Sequence, residues 1–209
     1  MAVEPRLLAT AMEEIDATGR LLSPPFVDAH FHMDATLSLG LPRMNRSGTL
    51  LEGIALWGEL KPQLTHEAVI ARALAYCDMA VAQGLLAIRS HVDVCDDRLI
   101  AVEALLEVKK RVASYLDLQL VAFPQDGIFR SSTAERNLLR ALDLGVEVVG
   151  GIPHFERTMA DGAASVSNPP RQQSIVVVGY QDLLDVVLLQ RNGWRLVVDA
   201  HHVGAWQYV

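Results

Sequence analysis

The chain has 209 residues, of which 51% are hydrophobic and 21% are charged, a composition typical of one globular domain. Its formal net charge of −7 argues against nucleic acid or an anionic membrane surface as the main partner. Cys77 and Cys95 form no Cys-x-x-Cys pair, which favours buried free thiols in a reducing compartment. The N-terminus lacks the layout of a secretory signal and no apolar run is long enough to span a bilayer, so we expect a cytoplasmic protein.

Two histidines dominate the first predicted strand. Residues 7 to 20 are predicted to form a short helix or the remnant of a preceding module, and the strand follows within residues 23–34. It carries His30 and His32, and side chains two positions apart on a strand point to the same face. Two neutral imidazoles aimed at one point suit zinc or iron, although a His-x-His pair by itself is a weak signal.

The passage between residues 35 and 64 is predicted to be loop-rich because glycines and prolines recur through it: Gly40, Pro42, Gly48, Gly53 and Pro62. A connection of this length is long for a compact domain. Long irregular segments that follow a strand often contribute to a binding site.

Strands and helices alternate through the rest of the chain. The predicted strands are Leu85–Val94, Asp117–Phe123, Glu147–Ile152 and Trp194–Ala200. The predicted helices are His66–Gln83 with Thr65 as N-cap, a helix capped by Asp96 or Asp97 that ends near Tyr115, Ala134–Leu144 with a Ser132/Glu135 capping box, and Gln181–Arg191. Residues 161 to 174 form a polar passage rich in Ser, Asn and Pro.

This alternation, at intervals of roughly 30 residues, predicts an α/β fold with a parallel sheet. Residues capable of catalysis gather where the predicted strands end: His30, His32, His91, Asp93, Gln125, His154 and His201. Parallel α/β folds place their sites at that edge. No glycine-rich phosphate loop follows the first strand, which disfavours a nucleotide-binding fold.

Five blocks of sequence make the chain recognisable. Phe26–Asp34 resembles the first-strand metal motif of the amidohydrolase superfamily. Together with four later blocks it is similar to the bacterial cytosine deaminase family, including relatives that act on isocytosine-like bases and N-alkyl triazines. The later blocks are Asn45–Gly53, Arg89–Val94, Leu120–Gly127 and Gly151–Glu156, and the similarity covers roughly residues 17 to 165.

The resemblance implies a (β/α)8 TIM barrel with one catalytic divalent metal ion, iron or zinc, that hydrolyses an amine from a heterocyclic base. By position, His30 and His32 are metal ligands, Gln125 holds the base and Leu50 contacts it. A carboxamide offers the donor and the acceptor that the amide edge of a pyrimidine requires. The other deaminase class, with its Pro-Cys-x-x-Cys zinc ligands, has no counterpart here.

The chain also departs from the family. A complete barrel typically needs about 250 residues, so we expect only about the first four to five βα units. We divide the chain into an N-terminal remnant (1–20), the N-terminal part of the barrel (21–165) and a divergent tail (166–209). The family's fifth-strand His-Cys-Asp-Glu block is matched only by Asp199–Gly204, which makes His201 a candidate third ligand but provides no glutamate, and no catalytic acid or base is assigned.

Several residues keep two interpretations. His91 and His154 are expected to support the barrel mouth by hydrogen bonding rather than to bind metal. Asp28 and Asp34 either orient the imidazoles or cap the strand end, and Asp126 stands where the family usually has glutamate.

The sequence therefore predicts a metal-dependent hydrolase that releases ammonia from a pyrimidine-like heterocycle. Because the last ligands and the general acid are missing, we expect little or no deaminase activity from this chain by itself. The alternatives are a catalytically inactive fragment or a half-barrel that self-associates through an exposed sheet edge, and a tail that is not native coding sequence.

Overall fold

A computed structural model describes residues 15–167, 175–177 and 196–198. Within these ranges six strands form one parallel sheet in the order in which they occur along the chain. The strands are β1 (Phe26–Phe31), β2 (Leu85–Asp93), β3 (Asp117–Phe123), β4 (Val148–Gly151), β5 (Ile175–Val177) and β6 (Leu196–Val198). The helices are α1 (Leu50–Leu60), α2 (His66–Ala82), α3 (Ile100–Val112), α4 (Ala134–Leu144) and α5 (Met159–Ser167).

The sequential parallel strands, with helices between successive strands from β1 to β5, form a sector of a TIM barrel, as the sequence predicted. The main core lies between the sheet and the helices that cover it. It includes Val69 and Ala73 of α2 and Val102 and Leu105 of α3, all fully buried. None of the described helices is long and apolar enough to cross a membrane.

Close packing of neighbouring strands requires a glycine in β4. A Cβ at Gly150 would lie 2.8 Å from Phe123 and 2.9 Å from Val121, closer than carbon atoms approach. Glycine therefore lets β4 pack directly against the Phe123 and Val121 side chains of β3.

The structure confirms several predicted boundaries. The Thr65 hydroxyl accepts a hydrogen bond from the Ala68 amide at the start of α2. Strand β3 and helix α4 have the predicted bounds. Gly145 ends α4 with a φ of 116°, a left-handed conformation that glycine adopts without strain.

The loop-rich interpretation of residues 35–64 was wrong, because α1 occupies its second half. The Thr49 hydroxyl accepts a hydrogen bond from the Glu52 amide and caps this helix. Helix α5 and strand β5 were also missed: α5 begins just before the polar passage of residues 161 to 174, and β5 follows it.

Two predicted caps were wrong. Helix α3 begins at Ile100, after the buried Leu99 in a left-handed conformation, because Asp96 and Asp97 have other partners. Asp96 accepts hydrogen bonds from Arg98, and Asp97 accepts one from the Asn137 side chain of α4. At α4 the N-cap is Thr133 with no side-chain cap, so the Ser132/Glu135 capping box does not form.

Three predictions fall outside what can be compared in full. Residues 7–14 of the first predicted helix and all of the predicted helix Gln181–Arg191 lie outside the described residues, and residues 15–20 are not helical. Of the predicted strand Trp194–Ala200, the described part is β6. The three-part division of the chain stays a prediction, and α5 crosses its boundary at residue 165.

Candidate active site

Three histidines meet at the carboxyl ends of β1 and β2. The structure brings His30, His32 and His91 together so that one ring nitrogen of each lies within 4.8 Å of the others. The ring centroids are 4.3 Å apart for His30 and His91, and 5.5 Å for His32 and His91. The parallel register, in which Phe31 lies opposite Ser90, produces this meeting because it sets the two strand ends level.

His91 is the most deeply placed of the three, with no exposed surface. Burial and the neighbouring His30 and His32 lower the pKa of its imidazole to about 2, so the ring is neutral. Within the described residues neither of its ring nitrogens has a hydrogen-bond partner. A buried neutral imidazole with an unmatched lone pair is chemically suited to a metal ion.

The donor set therefore fits a divalent transition metal. Imidazole nitrogens are ligands that zinc and iron accept in proteins. The supporting role that the sequence predicted for His91 stays a prediction, but the structure places this residue inside the histidine group. His201 lies outside the described residues, and His154 is exposed in the short turn Pro153–Phe155 after β4.

Phe123 connects the histidine group to the next strand. Its ring lies edge-on to His32 and to His91, with centroid distances of 5.6 Å and 5.2 Å. Gln125 follows two residues later and is half-buried. The structure thus places Gln125 in the loop directly after the strand whose last residue, Phe123, contacts the histidines.

Leu50 is less well placed than the other predicted site residues. It is the first residue of α1 and is 42% exposed.

The loop before α1 is ordered by Glu52, which accepts hydrogen bonds from the Ser47 amide and hydroxyl and from Arg43. These bonds lower the pKa of the Glu52 carboxyl to about 2, the Ser47 hydroxyl contributing most.

Of the two roles predicted for Asp34, the structure shows the capping of a strand end. Its carboxylate accepts a hydrogen bond of 2.9 Å from the Asp93 amide, and so joins the end of β1 to the end of β2. Burial raises the pKa of this carboxyl to about 7, against the opposing effect of that hydrogen bond. Asp28 likewise bonds backbone, accepting from the His30 amide.

Lys61, directly after α1, is a site residue that the sequence did not reveal. Its ammonium donates to Asp93 at 2.8 Å and to Asp126 at 2.7 Å. Trp57 of α1 donates its indole N–H to the same Asp93 oxygen at 2.8 Å. Burial by itself lowers the pKa of Lys61, but the Asp93 and Asp126 carboxylates raise that pKa by more than burial lowers it. The net pKa is above the ordinary value, so the ammonium stays charged.

A missed signal could have revealed this arrangement. Thr49 and Glu52 have the spacing of a capping box, and apolar residues follow at helical spacing up to Leu60. A helix predicted there would have carried Trp57 and Lys61 towards the strand ends.

The loop that carries Gln125 has anchors on both sides. On one side Asp126 binds Lys61, and its amide donates to the Cys95 sulfur at 3.4 Å. On the other side the Glu156 carboxylate, after β4, accepts from the Ile128 amide at 2.6 Å. Cys77 and Cys95 are both free thiols, and burial raises the pKa of each.

The amidohydrolase family model matches residues 13–160, most of the chain. This chain belongs to the amidohydrolase family. It is 36% identical over 159 residues to N-isopropylammelide isopropyl amidohydrolase of Pseudomonas sp. (strain ADP), covering 72% of this chain and 38% of that protein. The resemblance found in the sequence is thereby confirmed at the family level.

Solved structures agree with this assignment. The 5-methylcytosine deaminase of Klebsiella pneumoniae liganded with 5-fluorocytosine superposes with a TM-score of 0.74 and 41% identity, covering 93% of this chain and 43% of that one. N-isopropylammelide isopropylaminohydrolase of Burkholderia multivorans, at 20% identity and a TM-score of 0.57, covers 84% of this amidohydrolase and 55% of that chain, and supports the fold alone. The chain thus spans about two fifths of the length of its more similar relatives.

Proposed function

We propose that this amidohydrolase is part of a metal-dependent hydrolase that cleaves an exocyclic C–N bond of a pyrimidine-like heterocycle and releases ammonia. The observation that carries the proposal is the group of three histidine nitrogens within 4.8 Å, on strand ends next to the loop of Gln125. The similarity to a 5-methylcytosine deaminase supports the choice of substrate class.

His30, His32 and His91 would hold the metal ion, iron or zinc. His201, which the resemblance implies as a ligand, stays a prediction. An ion bound by imidazoles lowers the pKa of a water molecule to near neutrality and so supplies a nucleophile. The Phe123 ring packs edge-on against His32 and His91 from the end of β3 and would help to hold both imidazoles in place.

Gln125 would bind the base in its plane. A carboxamide presents one acceptor and two donor hydrogens, which match the carbonyl and ring nitrogen at the amide edge of a pyrimidine. Leu50, on the exposed start of α1, would contact the base through its apolar side chain. We propose no residue for the proton transfer.

A second candidate is a catalytically inactive half-barrel that self-associates. Among the described strands β1 pairs with β2 alone, and its Phe26 and Val27 are 67% and 68% exposed. An unpaired strand edge with apolar side chains is a template for pairing between chains. Size-exclusion chromatography tests this candidate: a soluble monomer contradicts it.

The proposed activity is tested by an ammonia-release assay on cytosine with added zinc or ferrous ion, alongside calorimetric titration of the metal. Ammonia release above that of the free metal supports a complete enzyme. Metal and base binding without turnover places the binding site, but not the whole reaction, in this chain. Failure to bind the metal, or failure of the metal-loaded chain to bind the base, would refute the proposal.

A further inference from the structure

Lys61 lies where three elements of the fold converge. It follows α1, and its ammonium joins Asp93 at the end of β2 to Asp126 in the loop after β3. The Lys61 and Asp93 side chains are 13% and 2% exposed, whereas that of Asp126 is 47% exposed. The buried half of the bridge is therefore Lys61–Asp93, and the half that reaches the loop, Lys61–Asp126, is partly open to solvent.

The bridge connects the two halves of the candidate site. Asp93 is two residues from His91, and Asp126 directly follows Gln125. The ammonium therefore sets the position of the Gln125 loop relative to the strand that carries His91. Without it no cation would separate the Asp93 and Asp126 carboxylates, although Asp93 would keep its hydrogen bond from Trp57.

The backbone geometry agrees with this role. The Asp126 amide donates to the Cys95 sulfur, a weak acceptor, so it contributes little to holding the loop. The stronger anchor is Glu156, which accepts a hydrogen bond from the Ile128 amide. It holds the later part of the loop and does not bind Gln125 or Asp126. On the side where Gln125 lies, the loop is held by backbone hydrogen bonds from the Gln125 amide to Phe123 and from the Gly127 amide to Pro124, and Lys61 adds the charged side-chain contact to another element.

We propose that Lys61 is a positioning residue that, through Asp126, fixes the loop of Gln125 for binding a heterocyclic base. The part that concerns the base rests on the function proposed above. The claim that Lys61 holds the loop is independent of that function, and it is measured without any ligand.

The first measurement is amide hydrogen exchange of the full chain without ligand. Asp126→Asn removes the charge from the loop half of the bridge, which weakens it to a hydrogen bond on a neutral carboxamide oxygen. It leaves the buried Lys61–Asp93 pair intact, so this variant is expected to fold. Exchange at Asp126 and Gly127 should accelerate about tenfold relative to the amides of β3. Lys61→Met should give the same local effect, and Lys61→Arg should restore most of the protection.

Trp57→Phe is the matched control, because it removes a hydrogen bond to the same Asp93 oxygen without touching the bridge to Asp126. In Trp57→Phe the exchange rates at Asp126 and Gly127, relative to those of the β3 amides, should be the same as in the wild type. Equal acceleration across β3 and the loop in Asp126→Asn, or no acceleration, would overturn the positioning role.

The second measurement is binding of 5-fluorocytosine to the zinc-loaded chain. Asp126→Asn should weaken it about tenfold and leave zinc affinity unchanged. Unchanged 5-fluorocytosine affinity would overturn the link to the base. If the wild-type chain binds zinc but no 5-fluorocytosine, the proposed function fails, and so does the base-positioning role, whereas the exchange result still decides the role of Lys61 in the loop.

Discussion

The two halves of the candidate site are held by different kinds of interaction. The histidine group depends on the register of β1 against β2 and on the hydrogen bond that the Asp93 amide donates to the buried Asp34 carboxylate where the two strands end. The Gln125 loop depends on side chains that reach it from other elements, Lys61 and Glu156. The ends of neighbouring strands therefore build the histidine half, whereas ion pairs and side-chain caps from other elements build the Gln125 half, so single substitutions should affect the two halves independently.

The largest expected effect concerns the histidine half. The double substitution of His30→Ala and His32→Ala should lower zinc affinity by about 100-fold or more, because two of three imidazole ligands are lost. Isothermal titration calorimetry measures this. His154→Ala, at an exposed histidine outside the group, is the control and should leave the affinity unchanged.

The next effect concerns the side-chain half. Lys61→Met should destabilise the fold by about 3 kcal/mol, because Asp93 is left as a buried carboxylate without its cation. Urea denaturation measures the loss. The double variant Lys61→Met/Asp93→Asn should recover part of it, and a loss that stays undiminished there would contradict the charge explanation.

A smaller effect concerns the packing of β4 against β3, the strand that carries Phe123 beside the histidines. Gly150→Ala should cost about 1–3 kcal/mol, because the new methyl group would lie 2.8 Å from Phe123. Gly58→Ala, on the exposed face of α1 with open space around it, should instead stabilise by up to about 1 kcal/mol. Thermal melts should show a lower melting temperature for Gly150→Ala and a higher one for Gly58→Ala. Changes of the same sign in both variants would contradict the packing argument.

The smallest effect is a pH dependence at the start of α1. The pKa of Glu52 lies near 2 in the folded chain against an ordinary 4.5, so its contribution to stability is present above pH 4.5 and is lost as the pH falls towards 2. The stability difference between wild type and Glu52→Gln should therefore shrink over that interval. Denaturant melts at several pH values measure it, and a difference that grows towards low pH would contradict the assignment.

The sequence predicted the histidine half better than the loop half for a physical reason. The alternation of His30 and His32 on a strand is a local pattern, and parallel strands end at one edge whatever the details of packing. Lys61 meets its partners across 32 and 65 residues, and no local pattern encodes such a pair. His91 was placed at the strand end but not in the histidine group, since its approach to His30 depends on the register of β1 and β2.

Helix starts failed where side chains had better partners elsewhere. Asp97 is an acceptable N-cap by residue type, but Asn137 of α4 binds its carboxylate at 2.7 Å. Tertiary contacts of this kind override local capping preferences. The capping signal at Thr49 was correct in the structure, although the surrounding glycines and prolines concealed it.

The strand order has a consequence for how this chain folds. Because each strand pairs with the one that preceded it in the sequence, every new βα unit can dock on an edge that already exists when it leaves the ribosome. Assembly can then proceed from the N-terminus without waiting for distant segments. The histidine group needs only β1 and β2, so it can form early in synthesis, well before the Gln125 loop emerges.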